Sequence, residues 1–154
     1  MTERIEQYWH GFLATLPPNS AYHGRVYVTE GFGDSPELAD ELGRLVLNGI
    51  KTATCSALCE WEDEKKSIPQ AGLLSIILDG TGEPICILET TEVTLRPFNQ
   101  VDGEWARAEG EGDLSLDYWR IAHRRFFMRV LPRIGRQFTE EMPLVCERFR
   151  VIYR

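Results

Sequence analysis

In the first 16 residues Ile5, Trp9, Phe12, Leu13 and Leu16 recur at helical spacing before Pro17-Pro18-Asn19 breaks the pattern, which predicts an amphipathic N-terminal helix over 2–16. A second helix is marked at both ends. Asp34 or Ser35 can cap it, Pro36 suits its first turn, Leu38, Leu42, Leu45 and Val46 form its apolar stripe, and Gly49 stops it. Beyond Gly49 the period changes from helical to alternating. Thr52, Thr54 and Ser56 point to one side of a strand, and Ala53, Cys55 and Ala57 to the other. Strand interiors usually carry bulkier side chains, so a face made only of small ones implies an element packed close to this backbone.

Residues 72–79 form a continuous apolar run, as a strand buried on both sides would. Asp79-Gly80-Thr81-Gly82 then turns the chain into a second strand that runs on from Pro84 to about Leu95, the clearest hairpin in the sequence. From Phe98 to Asp113 the chain is aromatic, acidic and punctuated by glycine. Ser115 caps a long helix with the stripe Trp119, Ala122, His123, Phe126 and Val130, ended by Pro132. His123 therefore reads as a core-edge histidine, and Trp105 and Tyr118 read as core aromatics with the alternative of stacking on a base. A last strand alternates from about Leu144 to Tyr153. Helices interrupting strands, with hairpin strands adjacent and no repeated strand-helix-strand unit, favour an α+β fold over a doubly wound sheet.

The length of 154 residues fits one domain with one core. No apolar run approaches the ~20 residues that cross a bilayer, and the acidic, polar start does not read as a signal peptide, so a cytoplasmic protein with no membrane partner is expected. Four scattered cysteines and three histidines lack the paired spacing of a zinc site, so no metal site is assigned to them. The net charge of −7 argues against a protein that coats nucleic acid. Its distribution is uneven, however. Residues 120–154 hold nine arginines and three glutamates, +6, while the preceding residues carry 8 basic and 21 acidic groups, −13. A basic C-terminal quarter can present a local cationic surface to a phosphate chain, or can pair with the acidic body.

Two segments can carry chemistry. Lys51, one of three lysines, sits where a helix ends and a small-faced strand begins, either satisfying the helix dipole or serving as a held cation beside Thr52 and Thr54. Glu109, Glu111 and Asp113, spaced by Gly110 and Gly112, repel one another unless a cation or ligand donor lies between them. The alternative is a solvated acidic turn. No dinucleotide fingerprint, P-loop or nucleophile elbow is present.

Gly49-Ile50-Lys51-Thr52-Ala53-Thr54 resembles the Gly-x-Lys-x-x-Thr signature of the ASCH domain superfamily, and the blocks 32–42 and 108–120 resemble an acidic bacterial branch of it. The resemblance runs from about Phe32 to Tyr153. It implies a PUA-like β-barrel with flanking helices in a single domain, 1–154, with residues 1–30 as a helical extension and 31–154 as the core. It also implies RNA or a modified ribonucleoside as partner. One smaller branch hydrolyses the amide of N4-acetylcytidine with a Lys, a Thr three residues on and a downstream Glu, while a branch closer to this chain is linked to ribonuclease action on single-stranded RNA. Carried over by residue, the catalytic set is Lys51, Thr54 and Glu111, with Glu109 close behind. The substrate-binding set is Thr52, Glu109, Asp113, Ser115, Arg124, Arg125 and Arg129. The chain departs from the smaller branch in extra N-terminal helices and longer loops.

For both catalytic side chains to reach one cleft, Lys51 must precede the strand proper. Amide hydrolysis needs the lysine as a base, its pKa brought from ~10.4 to roughly 7–8. Strand cleavage uses it charged, with Glu111 activating the attacking hydroxyl and Thr54 placing a phosphate oxygen; paired acids there can also hold Mg²⁺ or Mn²⁺. A binding module without turnover is the third reading. On all three, Lys51→Ala is expected to leave folding nearly intact.

Overall fold

The computed structural model describes residues 2–154. The strands are β1 (Val28–Glu30), β2 (Ala53–Ala57), β3 (Leu74–Leu78), β4 (Pro84–Pro97) and β5 (Pro143–Tyr153). They form one sheet in the order β1-β3-β4-β5-β2, with β1 parallel to β3 and every other pair antiparallel. The sheet curls into a half-barrel flanked by helices, a single-domain α+β fold. The hairpin read from the sequence is β3 with β4, and Leu74, Ser75, Ile76 and Ile77 are all buried, as a two-sided core strand requires.

Five helices surround the sheet: α1 (Thr2–Ala14), α2 (Pro36–Leu47), α3 (Leu58–Asp63), α4 (Gly103–Glu109) and α5 (Leu116–Val130). Trp9 and Phe12 of α1 pack on Leu74, Ile76 and Ile87 on one face of the hairpin. Leu42 and Val46 of α2 pack on Ile77, Leu88 and Phe149 on the opposite face. The largest cluster joins α4 and α5 to β2 and β5: Trp105, Trp119 and Phe127 lie against Ala53, Ala57, Leu144 and Cys146. The small face of β2 thus does what its composition implies, since Ala53 and Ala57 are fully buried where large aromatics approach the backbone.

Three elements depart from the pattern reading. The stretch Phe98–Asp113 contains α4, whose first turn is closed by the Asp102 carboxylate accepting from Trp105 N–H at 2.9 Å. Helix α3 and the short edge strand β1 are likewise unmarked by periodicity. On α5 the buried positions are Trp119, His123, Phe127 and Val130, so Phe127 rather than Phe126 faces the core. No described helix is long and apolar enough to cross a membrane.

Candidate functional site: a buried ion cluster beneath a cleft

The site begins where α2 hands over to β2. Lys51 precedes the first strand residue, Ala53, and its N–H donates to the Leu45 carbonyl at 3.0 Å, completing the helix end. Thr52 fastens the segment on two sides. Its N–H and hydroxyl both donate to the Ala108 carbonyl, at 2.8 and 3.3 Å, and its own carbonyl accepts from Phe149 N–H at 3.1 Å. On the facing side α4 stops at Gly110, which has a left-handed φ of 73°. A Cβ there would lie 2.5 Å from the Ile50 carbonyl oxygen, so only glycine lets the helix end this close to the strand entry.

That contact delivers Glu109 to Lys51. The Lys51 ammonium lies 3.5 Å from Glu109 Oε1, 3.4 Å from the Glu109 carbonyl and 3.0 Å from Glu111 Oε2, with its side chain 1% exposed. Phe32 adds a ring face 5.6 Å from the ammonium. The other Glu109 oxygen accepts from two indoles, Trp105 Nε1 at 2.9 Å and Trp119 Nε1 at 2.7 Å. His123 Nε2 lies 3.3 Å from Glu109 Oε1, and the His123 ring stacks on Trp119 at 4.2 Å.

The protonation of His123 follows from its two contacts. Nδ1 is 2.9 Å from the Trp119 carbonyl, which can only accept, so Nδ1 carries a proton. Nε2 faces a carboxylate, which again calls for a donor, and a ring that donates from both nitrogens is an imidazolium. Burial opposes the charge, but Glu109 by attraction and hydrogen bonding, and then Glu111, raise the His123 pKa above its ordinary value. For Glu109 burial opposes ionisation, yet His123, Lys51 and the indole donor hold its carboxyl well below the usual carboxylate range. Lys51 follows the same logic: desolvation lowers its pKa, and Glu109 with Glu111 more than reverse that, leaving it above the ordinary lysine value. Two cations and two carboxylates therefore compensate one another in a nearly dry site, the arrangement a buried charge needs.

Above this cluster opens a cleft of about 290 Å³ between α2, β2, α4 and α5. Thr54, Glu111, Tyr118, His123 and Arg125 are on its wall, with Phe32 and Phe126 supplying apolar surface. Lys51 is not on that wall; it lies beneath the two carboxylates. Gly112, with φ of 60°, makes room for the Tyr118 ring, whose atoms a Cβ there would meet at 2.4–2.5 Å.

A model of the ASCH domain family matches residues 28–153. The chain belongs to the ASCH domain family. Solved structures agree across almost its whole length. An ASCH domain from Lactobacillus crispatus JV V101 superposes with a TM-score of 0.92 at 34% identity, covering 99% of this chain and 96% of that one. A protein from Enterococcus faecalis V583, assigned to the family DUF984, gives 0.87 at 40% identity, covering 99% and 90%. No curated protein matches the chain. The family is generally thought to bind RNA, and the PUA-like fold accords with that.

The structure of this ASCH domain brings Lys51, Glu109 and Glu111 into direct contact and places Thr54, Arg125 and Arg129 on the cleft. Thr54 makes no hydrogen bond to Lys51 among the described residues. Arg129 is held by a bidentate pair with Asp34, at 2.7 and 2.9 Å, whereas no carboxylate pairs with Arg125 among the described residues. The remaining predicted residues are elsewhere. Thr52 is the fastening just described. Asp113 is exposed and accepts from Ser115 N–H, and Ser115 caps α5 by accepting from Tyr118 N–H. Arg124 pairs with Glu140 and lies over Phe138, away from the cleft.

Sequence reasoning placed His123, Trp105 and Trp119 in the core, and all three hold Glu109. A spacing signal existed, since Glu109 follows Trp105 by four residues on α4, but the partner contacts from α5 are long-range. Cys55 is the other residue missed. Burial and then Glu109 raise its thiol well above the ordinary value, the opposite of what activates a cysteine nucleophile. Cys55, Glu109 and His123 offer ligand atoms within 4.8 Å of one another. A Mg²⁺ or Mn²⁺ ion does not suit this set: Lys51 and His123 already neutralise the carboxylates, both His123 nitrogens are engaged, and Asp113 points to solvent.

Proposed function

We propose that this ASCH domain binds single-stranded RNA by taking one unpaired nucleotide into the cleft. What carries the reading is the combination on one wall of an acceptor, a stacking ring and an unpaired cation. Glu111, its side chain 17% exposed, offers carboxylate oxygens to base amino or imino donors. Tyr118, 41% exposed, supplies a ring face. Arg125, without a carboxylate partner, meets the phosphate. A volume of about 290 Å³ suits one nucleotide and excludes a duplex.

If the bound strand is also turned over, the charge state of Lys51 favours cleavage over deacetylation. Attack by Thr54 on the acetyl group of N4-acetylcytidine needs a neutral amine as base, and two carboxylates hold Lys51 as an ammonium. Cleavage needs no such shift. Glu111 takes the proton of the ribose 2′-hydroxyl, that oxygen bonds to phosphorus, the bond from phosphorus to the 5′-oxygen breaks, and the departing oxygen takes a proton from water. The products are a 2′,3′-cyclic phosphate and a 5′-hydroxyl end. Thr54 positions a phosphate oxygen, and Lys51 acts through its pair with Glu111.

The test is purified protein with a single-stranded oligoribonucleotide, the same sequence as a duplex, and N4-acetylcytidine, each with and without Mg²⁺. Preferential binding of the single strand, weakened by Glu111→Gln and Tyr118→Ala, supports the reading. Equal affinity for duplex, or binding untouched by both substitutions, overturns it. Release of acetate without oligonucleotide binding would move the function to the nucleoside.

A further inference from the structure

A second concavity, about 740 Å³, opens on the same sheet face as α2 but at its other end, between β1, α3 and the loop 66–71. Under α2 this face is apolar: Ile77, Leu88 and Phe149. Two residues along each strand it turns polar, to Ser75 on β3, Thr90 on β4 and Glu147 on β5. Ser75 and Thr90 are buried at 3% and 4% exposure. Glu30 of β1 completes the group, and Trp61 of α3 with Ile68 and Pro69 forms the opposite wall. The change runs diagonally across the three strands, since Ser75 lies opposite Leu88, Thr90 opposite Phe149 and Glu147 opposite Val93, and a face that only had to bury a core would carry apolar side chains at these positions.

The carboxylates here, Glu147 half-buried and Glu30 on the exposed edge strand, differ from three others that are held by cations. Glu89 pairs with Arg150, Asp34 with Arg129, and Glu109 with Lys51 and His123. Glu30 and Glu147 have no cationic partner among the described residues and act on each other across the cavity. Thr90 gives Glu147 a single long hydrogen bond of 3.5 Å. Lys66, the one cation on the lining, pairs with Glu64 at the surface at 3.0 Å. Burial first, then Glu30, pushes the Glu147 carboxyl up to about 7, while Glu30 itself stands on the exposed edge strand β1. Two carboxylates that lack a counter-charge repel an anion such as phosphate, and with no third donor from His, Cys, Asp or Glu within reach they do not make a metal cage.

We propose that this cavity binds a small organic cation, an amine or amidine carried on an aromatic or aliphatic body, with Glu30 and Glu147 on the charge and Trp61 and Ile68 against the body. The site is separate from the Lys51 cluster, although it adjoins the RNA cleft: Glu147 is the cross-strand partner of Thr54. A charge-assisted contact to each carboxylate supplies the affinity, and the apolar wall sets the size of the body.

The probes are benzamidine and phenethylamine, with neutral benzamide as the shape control, titrated at pH 8 while the Trp61 indole resonance is followed. The expected result is saturable shifts with both amines and much weaker ones with benzamide. Glu147→Gln and Glu30→Gln should each weaken benzamidine by about tenfold or more. Urea unfolding of the variants checks folding, and relieving the repulsion should leave the midpoint at pH 8 unchanged or higher. Benzamide binding as tightly as benzamidine, full affinity in the double variant, or no shift with either amine would each overturn the proposal. Glu111→Gln should leave benzamidine binding unchanged, which keeps this test independent of the RNA reading.

Discussion

Replacing Lys51 with methionine keeps the length of the side chain and removes the ammonium. From sequence, a lysine at a helix exit is expected to be removable at little cost to folding; its burial reverses that expectation. The side chain is 1% exposed, and its nitrogen is the counter-charge for Glu109 at 3.5 Å and Glu111 at 3.0 Å. Breaking a buried pair from one side costs about 3–5 kcal/mol, because the partner charge is stranded, whereas an exposed pair is worth about 0–1 kcal/mol. With a denaturant slope of about 1–3 kcal/mol/M in urea, the Lys51→Met midpoint should fall by about 1 M or more at unchanged slope. Adding Glu109→Gln removes the most deeply stranded charge, and the amide oxygen still accepts from the Trp105 and Trp119 indoles. The double variant should therefore cost clearly less than the two single costs combined, a coupling that a double-mutant cycle reads directly. A Lys51→Met loss below about 1 kcal/mol, or strict additivity in the cycle, would mean that the cluster is solvated and that the charge argument fails.

Three further outcomes follow from the same geometry. His123 should titrate above its ordinary pKa of 6.5 when both ring nitrogens are followed through a pH series by nitrogen-detected NMR; a midpoint at or below 6.5 would refute the imidazolium. Because that pKa is raised, its stabilisation is complete below 6.5 and is lost as pH climbs through the folded value. Glu109, held low, contributes above 4.5 and fades as pH falls toward its depressed value. Urea midpoints against pH should thus show a plateau between those limits, and His123→Gln should remove the alkaline decline. For RNA, Arg125→Gln should weaken oligonucleotide binding and flatten its log–log salt slope by about 0.7, while Arg124→Gln, whose charge is already spent on Glu140, should do neither. Equal effects of the two would return the phosphate track to the whole arginine-rich helix.

How much of this was written legibly in the chain differs by the range of the interaction that carries it. Elements defined by their own neighbours were readable: α2 through Ser35 and Pro36, the β3–β4 hairpin through its glycine turn, α5 through Ser115. Helix α4 was not, because seven residues give less than two turns of periodicity and its acidic, glycine-flanked sequence looks like a loop. Its formation depends on Trp105 and Ala106 finding the β2 face, which is tertiary. The site divides in the same way. Lys51 and Glu111 announce themselves by sitting where a charge is unexpected, but His123 sits where an apolar residue is expected and so passes for core.

Position in a stripe reports burial and nothing about the partner. In this fold the buried side of α5 meets a carboxylate as well as a sheet, so one helical face does both jobs. Trp119 and Phe127 close the core, while His123, one turn from each, spends the same burial on an ion pair. The consequence is that the cluster cannot be loosened without loosening the core. The two indoles that pack against Ala53 and Leu144 are also the donors that fix the Glu109 oxygen, so a core substitution such as Trp119→Phe, which keeps most of the apolar volume, deletes a 2.7 Å hydrogen bond to a buried carboxylate. Its cost should exceed that of a volume-conserving core change, about 1.5 kcal/mol at most, by the roughly 1.5–3 kcal/mol of a hydrogen bond to a charged group. It should also lower the His123 pKa response only slightly, because the His123 and Lys51 contacts to the other oxygen remain. Urea unfolding combined with the His123 titration separates the two effects. A Trp119→Phe variant as stable as the parent would show that the indole donor contributes packing alone.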